Sequence, residues 1–187
     1  IRTEMYNPFS DRTLTGLKQL ASLGHEIGLH VDASLYPEDI DSLDIAVERE
    51  CAILEMFTGY RIQFLSFHRP AAHLLGLDRL VAGRHHTYEP KFFSDLGYCS
   101  DSRGGWHHGH PLKSASVAHD RGLQLLTHPI WWDAGLNESV RSKLDRLALT
   151  RFDIVRAELA RNCESYPQEF QALDPEIWPT RPSSSDR

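Results

Sequence analysis

The sequence predicts an α/β fold, a distorted and incomplete (β/α) barrel of parallel strands with helices on its outside. Short apolar runs alternate along the chain with longer segments of helical periodicity. Three of these apolar runs are followed directly by a histidine. Because the carboxyl ends of parallel strands meet at one edge of a sheet, we expect these histidines at the mouth of the barrel. A chain of 187 residues is long enough for one sizeable core.

The first predicted elements are a helix and a short strand. Apolar residues recur at helical spacing from about Asp11 to Leu23, and Gly24 suits the left-handed conformation that ends helices. The segment HEIGLHVD then predicts a strand that ends at Asp32. If this strand kinks at its glycine, His30 and Asp32 share one face, because side chains two apart point to the same side of a strand.

A long helix and a buried strand follow. Pro37 is predicted to open the helix with an acidic first turn, and Gly59 to close it. Its apolar face consists of Ile40, Leu43, Val47, Leu54 and Phe57. The apolar run from Ile62 to Phe67 is short and suits a buried strand of a parallel sheet.

The second half of the chain is less regular. Between Arg69 and Pro111 the periodicity weakens, although a strand is predicted near Tyr98. Residues 123–127 predict a buried strand, and Asn137 is predicted to cap a long helix. The apolar stripe of that helix consists of Val140, Leu144, Leu147, Val155 and Leu159. Residues 171–187 are rich in Pro, Ser and Asp and predict a flexible tail.

Charge and composition exclude some partners. A net charge of -6 argues against nucleic acid and against an anionic membrane surface, since both would repel the chain. No apolar stretch approaches the roughly 20 residues of a membrane span. The three cysteines are widely separated, which favours a reducing, cytoplasmic compartment. The chain opens with Ile1 and reads like the middle of a domain, so we expect a leader or a first motif upstream.

Three segments share one design, in which a strand is followed by a histidine and a turn. They are GHEIGLHVD, IQFLSFHRP and LQLLTHP, which carry His30, His68 and His128. If the strands are parallel neighbours, these imidazoles meet within a few ångströms. Imidazole and carboxylate ligands suit zinc and related divalent ions. A metal with an open coordination position can activate water and polarise a carbonyl, which predicts a metal-dependent hydrolase.

The same segments resemble the motifs of the polysaccharide deacetylase (NodB-homology) family. GHEIGLH resembles its second motif, SFHRP its Arg-Pro motif, SDSRGGW its Asp-to-Trp motif and LLTHP its final Leu-to-His motif. The match runs from roughly Tyr6 to Trp132, in the family's order. Together the motifs look most like the divergent deacetylase-like proteins found with bacterial surface-polysaccharide biosynthesis.

The resemblance implies a role for each matching residue. His30 becomes a metal ligand, and Arg69 the cation that holds and tunes the catalytic carboxylate. His128 becomes the general acid, since a leaving amine needs a proton from a group with a pKa near the working pH. Asp101 would orient or polarise His128, and Trp106 would line the pocket that receives the acyl group.

Two departures from the family pattern affect this expectation. The second metal histidine of the family lies four residues after the first, where this chain has Ser34. His68 or Asp32 could replace it. The first family motif, an Asp-Asp pair that supplies the general base and a metal-binding carboxylate, should precede residue 1. We therefore expect the base to be an upstream carboxylate or a substitute such as Asp32, or the chain to be inactive as written.

Each assignment has a structural alternative. His68 could be a structural histidine, and Arg69 and Asp101 could form a buried ion pair. Trp131 and Trp132 could stack on sugar rings, with Trp131 as the substrate-binding candidate, or the pair could cap the core on one side and stay partly exposed on the other. Structural or solvated roles are expected for the remaining candidates, which are His25, His73, His85, His119 and the tract His107, His108 and His110.

The sequence thus predicts one catalytic domain over residues 1–170, lacking at least its first strand. The expected reaction removes an N-acyl group from an N-acetylated sugar or polysaccharide precursor, and the expected acyl group is acetyl. Zinc is the expected cofactor, and carbohydrate is the expected partner. One alternative is a catalytically inactive sugar-binding domain that keeps the pocket of Trp106. Another is a phosphoesterase on a similar barrel, which should carry more clustered His and Asp ligands.

Overall fold

The computed structural model describes residues 7–132 and 138–166. The chain divides into two compact units, Ile1–Val140 and Arg141–Arg187. In the described part of the first unit, the helices are α1 (Asp11–Ser22), α2 (Ile40–Thr58), α3 (Pro90–Phe93) and α4 (Ala115–Ala118), and the strands are β1 (Leu29–Asp32), β2 (Phe64–His68), β3 (His85–His86), β4 (Gly97–Ser100) and β5 (Leu123–Leu126). Within the described ranges, no helix has the length and apolar character needed to cross a membrane.

The strands form two small parallel sheets. One has the order β1-β2-β3, and the other pairs β4 with β5. The architecture is therefore mixed α/β with parallel strands. The described strands do not close into a barrel, so the incomplete barrel stays a prediction.

The main core lies between α2 and one face of β1 and β2. Along both strands, buried apolar residues alternate with less buried residues that are polar except for Phe64, which is the period of two that a half-covered strand requires. The buried apolar residues of these three elements are Leu29, Val31, Leu43, Val47, Cys51, Leu54, Leu65 and Phe67. This packing fixes which face of β1 and β2 is left for polar side chains.

Capping side chains set the helix bounds. Helix α1 begins after Ser10, whose hydroxyl accepts from the amide of Thr13, so the prediction of a helix from about residue 11 is confirmed. Helix α2 does not begin at Pro37, because the carboxylate of Asp39 accepts from the amide of Ser42 and caps the helix there. Its predicted end is confirmed, since Gly59 caps it with a φ of 76°.

Two predictions differ from the structure in the second half of the chain. The segment predicted as irregular contains β3, whose short pairing with β2 leaves no visible periodicity. Strand β5 is not fully buried, since Leu125 is 47 % exposed. Among the described strands, β5 pairs with β4 alone, so no described strand pairs with the other edge of β5.

Helix α5 (Val140–Asn162) represents the second unit from Arg141 onward. The predicted long helix is therefore confirmed over this range, whereas its expected cap, Asn137, lies outside the described residues. No residue described in α5 is buried, and the members of the expected apolar stripe that are exposed are Val140, Leu144, Val155 and Leu159. The tail predicted at 171–187 also lies outside the described residues.

Candidate functional site

Strands β1 and β2 place four polar side chains on one face. In the parallel register His30 lies opposite Ser66, and Asp32 lies opposite His68. Within each strand the two polar residues are two positions apart, so they point away from the core that the alternate apolar residues form. The core thus orients this face, and the register decides which side chains meet on it.

His30 contacts both polar neighbours on β2. Its Nδ1 lies 2.7 Å from the Ser66 hydroxyl, and its Nε2 lies 3.3 Å from Nδ1 of His68. The rings of His30 and His68 meet edge to face, with centroids 5.3 Å apart. Two imidazole nitrogens bound to one tetrahedral zinc ion are about 3.4 Å apart. The two nitrogens therefore fit the spacing of neighbouring zinc ligands.

The environment of His30 favours its neutral form. Its pKa is lowered, first because surrounding protein atoms displace water from the ring, and then because the charges of His68 and His128 repel a proton. The negative charge of Asp32 raises the pKa of His30, but by less than these effects lower it. Neutral imidazole is the form that coordinates metal ions. The lowered pKa of His30 therefore favours the form of the ring that a metal ligand needs.

Asp32 is tied to the position where the family pattern has its second histidine. Oδ1 of Asp32 accepts from the amide of Ser34 at 3.1 Å and from the hydroxyl of Ser34 at 2.6 Å. The pKa of Asp32 is lowered by these hydrogen bonds and further by the charges of His68 and Arg69. Over residues 7–132 and 138–166, no three His, Cys, Asp or Glu side chains are grouped for a metal ion. The structure thus brings together two nitrogen donors, with an ionised carboxylate on the same face.

A second polar pair follows the other sheet. Asp101 comes directly after β4, His128 comes two residues after β5, and the parallel register pairs Ser100 with Leu126 just before them. The Asp101 carboxylate is buried, and it accepts from the backbone amide of His128 at 3.0 Å and contacts Nδ1 of that ring at 2.7 Å. The His128 side chain is 44 % exposed. One carboxylate therefore fixes both the backbone and the ring of a solvent-accessible histidine.

Arg69 does not pair with Asp101. In the described residues Asp101 pairs with His128, so the alternative of a buried Arg69–Asp101 ion pair is wrong. Arg69 is exposed directly after β2, with a φ of 49° that non-glycine residues rarely adopt. Its charge lowers the pKa of Asp32. This contribution is smaller than that of the Ser34 hydrogen bonds.

The predicted tryptophans differ in exposure. Trp106 lies in an exposed loop, and its ring centroid is 5.7 Å from that of His110. Trp131 is half-buried in the turn that follows His128, with Cε3 3.7 Å from the point where a Cβ at Gly104 would lie. Trp132 is 64 % exposed. The substrate-binding roles of Trp106 and Trp131 stay predictions.

Two polar residues of this unit were not singled out from the sequence. Ser66 interrupts an apolar run at two residues before His68, and this spacing was a signal that both side chains share a face. His86 is fully buried, and its Nε2 lies 3.0 Å from the carbonyl of Arg79. The His85 ring contacts the carboxylate of Glu89, which is a structural role as expected. The histidine tract at 107–110 is exposed, which agrees with the expected solvated loop.

No family model matches the chain, and no curated protein or solved structure matches it. The likeness to polysaccharide deacetylases therefore rests on the sequence motifs, and the chemistry has to be argued from the geometry of these side chains.

Proposed function

We propose that the chain is a metal-dependent hydrolase that removes an N-acyl group, acetyl in the first instance, from an N-acetylated sugar or polysaccharide precursor. The observation that carries the proposal is the approach of His30 Nε2 to His68 Nδ1 at 3.3 Å, at the carboxyl ends of neighbouring parallel strands. His128 is close enough to lower the pKa of His30. The proposal therefore uses the His30–His68 pair as metal ligands and His128 as a third imidazole that acts on the substrate.

His30 and His68 would hold the divalent cation, with Asp32 as the candidate for a further ligand or for the general base. Bound zinc supplies Lewis-acid chemistry, because it acidifies water and polarises the acyl carbonyl. The hydrogen bonds from Ser34, and after them the charges of His68 and Arg69, lower the pKa of Asp32. Each of these roles belongs to a side chain on β1, at the end of β2 or directly after it.

His128 would deliver the proton to the leaving amine. Asp101 accepts from the ring Nδ1–H and the backbone amide of His128, which holds the ring in one orientation. The opposite ring nitrogen is then left to exchange a proton with the substrate.

The substrate class and the location are part of the same proposal. Trp106 and Trp131 are the aromatic surfaces proposed for the sugar and its acyl group. Cys51, Cys99 and Cys163 are all free thiols, which supports a reducing, cytoplasmic location.

Metal content and acetate release test the proposal together. Zinc or cobalt binding is the first readout, because it does not depend on the general base. We expect His30→Ala to lose the metal and the activity. His128→Ala should keep the metal and lose roughly 10²–10⁴-fold in acetate release from chitooligosaccharides or nucleotide-linked N-acetyl sugars. His119→Ala is the matched control, because His119 bonds the carbonyl of Ala115 instead of a site residue.

The alternatives predict different outcomes. A chain that binds glycan but holds no stoichiometric metal is a catalytically inactive sugar-binding domain, and the enzyme proposal is then wrong. Phosphate release from a phosphatase screen without any acetate release identifies a phosphoesterase. Unchanged acetate release in both His30→Ala and His128→Ala would refute the assignment of the site.

A further inference from the structure

Ser66 lies where a side chain can control the protonation site of His30. It is the cross-strand partner of His30 in the β1–β2 register, and its hydroxyl lies 2.7 Å from Nδ1 of that ring. Its neighbours along β2, Leu65 and Phe67, point into the core. The core therefore holds the hydroxyl on the polar face beside His30.

The two nitrogens of the His30 ring are not independent. A neutral imidazole has one N–H and one bare nitrogen. Nδ1 contacts Ser66 and Nε2 contacts His68, so the proton lies on the side of one neighbour or the other. If the serine hydroxyl accepts from Nδ1–H, the bare nitrogen is Nε2 and can coordinate a cation. If the hydroxyl donates to Nδ1, Nε2 carries the proton and cannot do so.

We propose that Ser66 is a positioning residue that accepts a hydrogen bond from Nδ1–H of His30 and so leaves the Nε2 lone pair directed toward His68. Metal-ligating histidines commonly donate their second ring N–H to a carboxylate, a backbone carbonyl or water, which fixes the tautomer and the ring orientation, and a serine hydroxyl can accept such a bond as well. A hydroxyl does this without adding negative charge to the site. The part of this inference that concerns metal affinity rests on the proposed function, whereas the tautomer of His30 can be measured without metal.

Three variants separate the hydrogen bond from general effects on the strand. Ser66→Ala removes the hydroxyl and keeps a small side chain, and Ser66→Thr restores a hydroxyl with a residue that suits strands. Ser34→Ala is the matched control, because it removes a hydroxyl that bonds Asp32 on the same face. Far-UV circular dichroism and the thermal midpoint establish that each variant is folded.

Nitrogen-15 NMR of the imidazoles in the full metal-free chain gives the first readout. At mildly alkaline pH we expect the His30 proton on Nδ1 in the wild type, in Ser66→Thr and in Ser34→Ala. In Ser66→Ala we expect it to move toward Nε2. A proton on Nε2 in the wild type, or the same tautomer in the wild type and Ser66→Ala, overturns the inference.

Zinc or cobalt titration gives the second readout. Ser66→Ala should lower the affinity roughly 10- to 100-fold, and Ser66→Thr should recover most of the loss. Equal affinity in Ser66→Ala and the wild type overturns the role of Ser66. A wild-type chain that binds neither metal, while the tautomer shift is observed, overturns the proposed function and leaves the hydrogen bond established.

Discussion

Replacing Asp101 tests how one buried carboxylate organises His128. Asp101 is 5 % exposed, and its carboxylate makes two contacts to His128, to the backbone amide at 3.0 Å and to ring Nδ1 at 2.7 Å. Asp101→Ala removes both contacts. Asp101→Asn keeps the shape, because its amide oxygen can accept from the backbone amide while its NH₂ group donates to the ring.

The two substitutions should differ in stability. A hydrogen bond to a charged group contributes about 1.5–3 kcal/mol, so two such bonds set an upper bound of roughly 3–6 kcal/mol. Since the His128 side chain is 44 % exposed, water replaces part of its bond, and we expect about 2–4 kcal/mol of destabilisation for Asp101→Ala. Neutral hydrogen bonds remain in Asp101→Asn, so its loss should be only about 1–2 kcal/mol.

The Asn variant should also separate stability from chemistry. Its NH₂ group requires a bare Nδ1, so His128 takes the tautomer with the proton on Nε2. We expect acetate release to fall roughly 10²–10⁴-fold although the chain stays folded. Urea unfolding at neutral pH measures the free energies, and nitrogen-15 NMR measures the tautomer. Equal stability of the Ala and Asn variants, with the His128 tautomer of the wild type in Asp101→Asn, would refute the reasoning.

Gly28→Ala should destabilise the fold by about 1–3 kcal/mol in urea unfolding, because the added Cβ would lie 2.9 Å from the backbone oxygen of Phe64. Acid should weaken the fold through His86, whose pKa is lowered from 6.5 mainly by burial. The free energy of unfolding should be highest above pH 6.5 and fall below it, because the unfolded state then binds more protons, until the lowered folded-state pKa is passed. Brief iodoacetamide treatment followed by mass spectrometry should label Cys163 in the folded chain, since it is exposed and its pKa is lowered by Ser165. Cys51 should react only after unfolding, because burial raises its pKa to about 11.

Each of these predictions has a control. Gly16→Ala places a methyl group in open space on helix α1, so it should stabilise the chain slightly, and a loss equal to that of Gly28→Ala would contradict the steric argument. His86→Leu should show a weaker loss of stability in acid than the wild type, and an unchanged pH profile would assign the effect to other groups. Cys163→Ser should abolish the rapid labelling, and persistent labelling would mean that a buried thiol is accessible.

The local parts of the fold could be predicted from the sequence. Periodicity and Gly59 determine the end of α2, and the end of β1 at Asp32 follows from the short apolar alternation before it. The start of α2 was misplaced at Pro37, because the cap of Asp39 competes with the proline signal. Such errors arise where two local signals lie within a few residues of each other.

Contacts between strands were harder to predict. The placement of His30 and His68 in two predicted parallel strand segments indicated that they could meet, and they do. The Ser66 contact depends on the β1–β2 register, which no local pattern states. The exposure of β5 depends in the same way on which elements cover it. Asp101 and His128 do lie within hydrogen-bond distance, as the motif resemblance implied, although composition alone would not have paired them.

Because buried and exposed positions alternate along β1 and β2, a shift of one residue decides whether an imidazole lies on the polar face or in the core. A slip of β2 by one residue would turn Ser66 and His68 into the hydrophobic interior and bring Leu65 and Phe67 out into water. Exposing two such side chains would cost roughly 3–6 kcal/mol, a large share of the stability of an ordinary domain. A chain that aligns these strands wrongly therefore loses its hydrophobic core along with its chemistry, so molecules that have folded carry the histidines on the correct side.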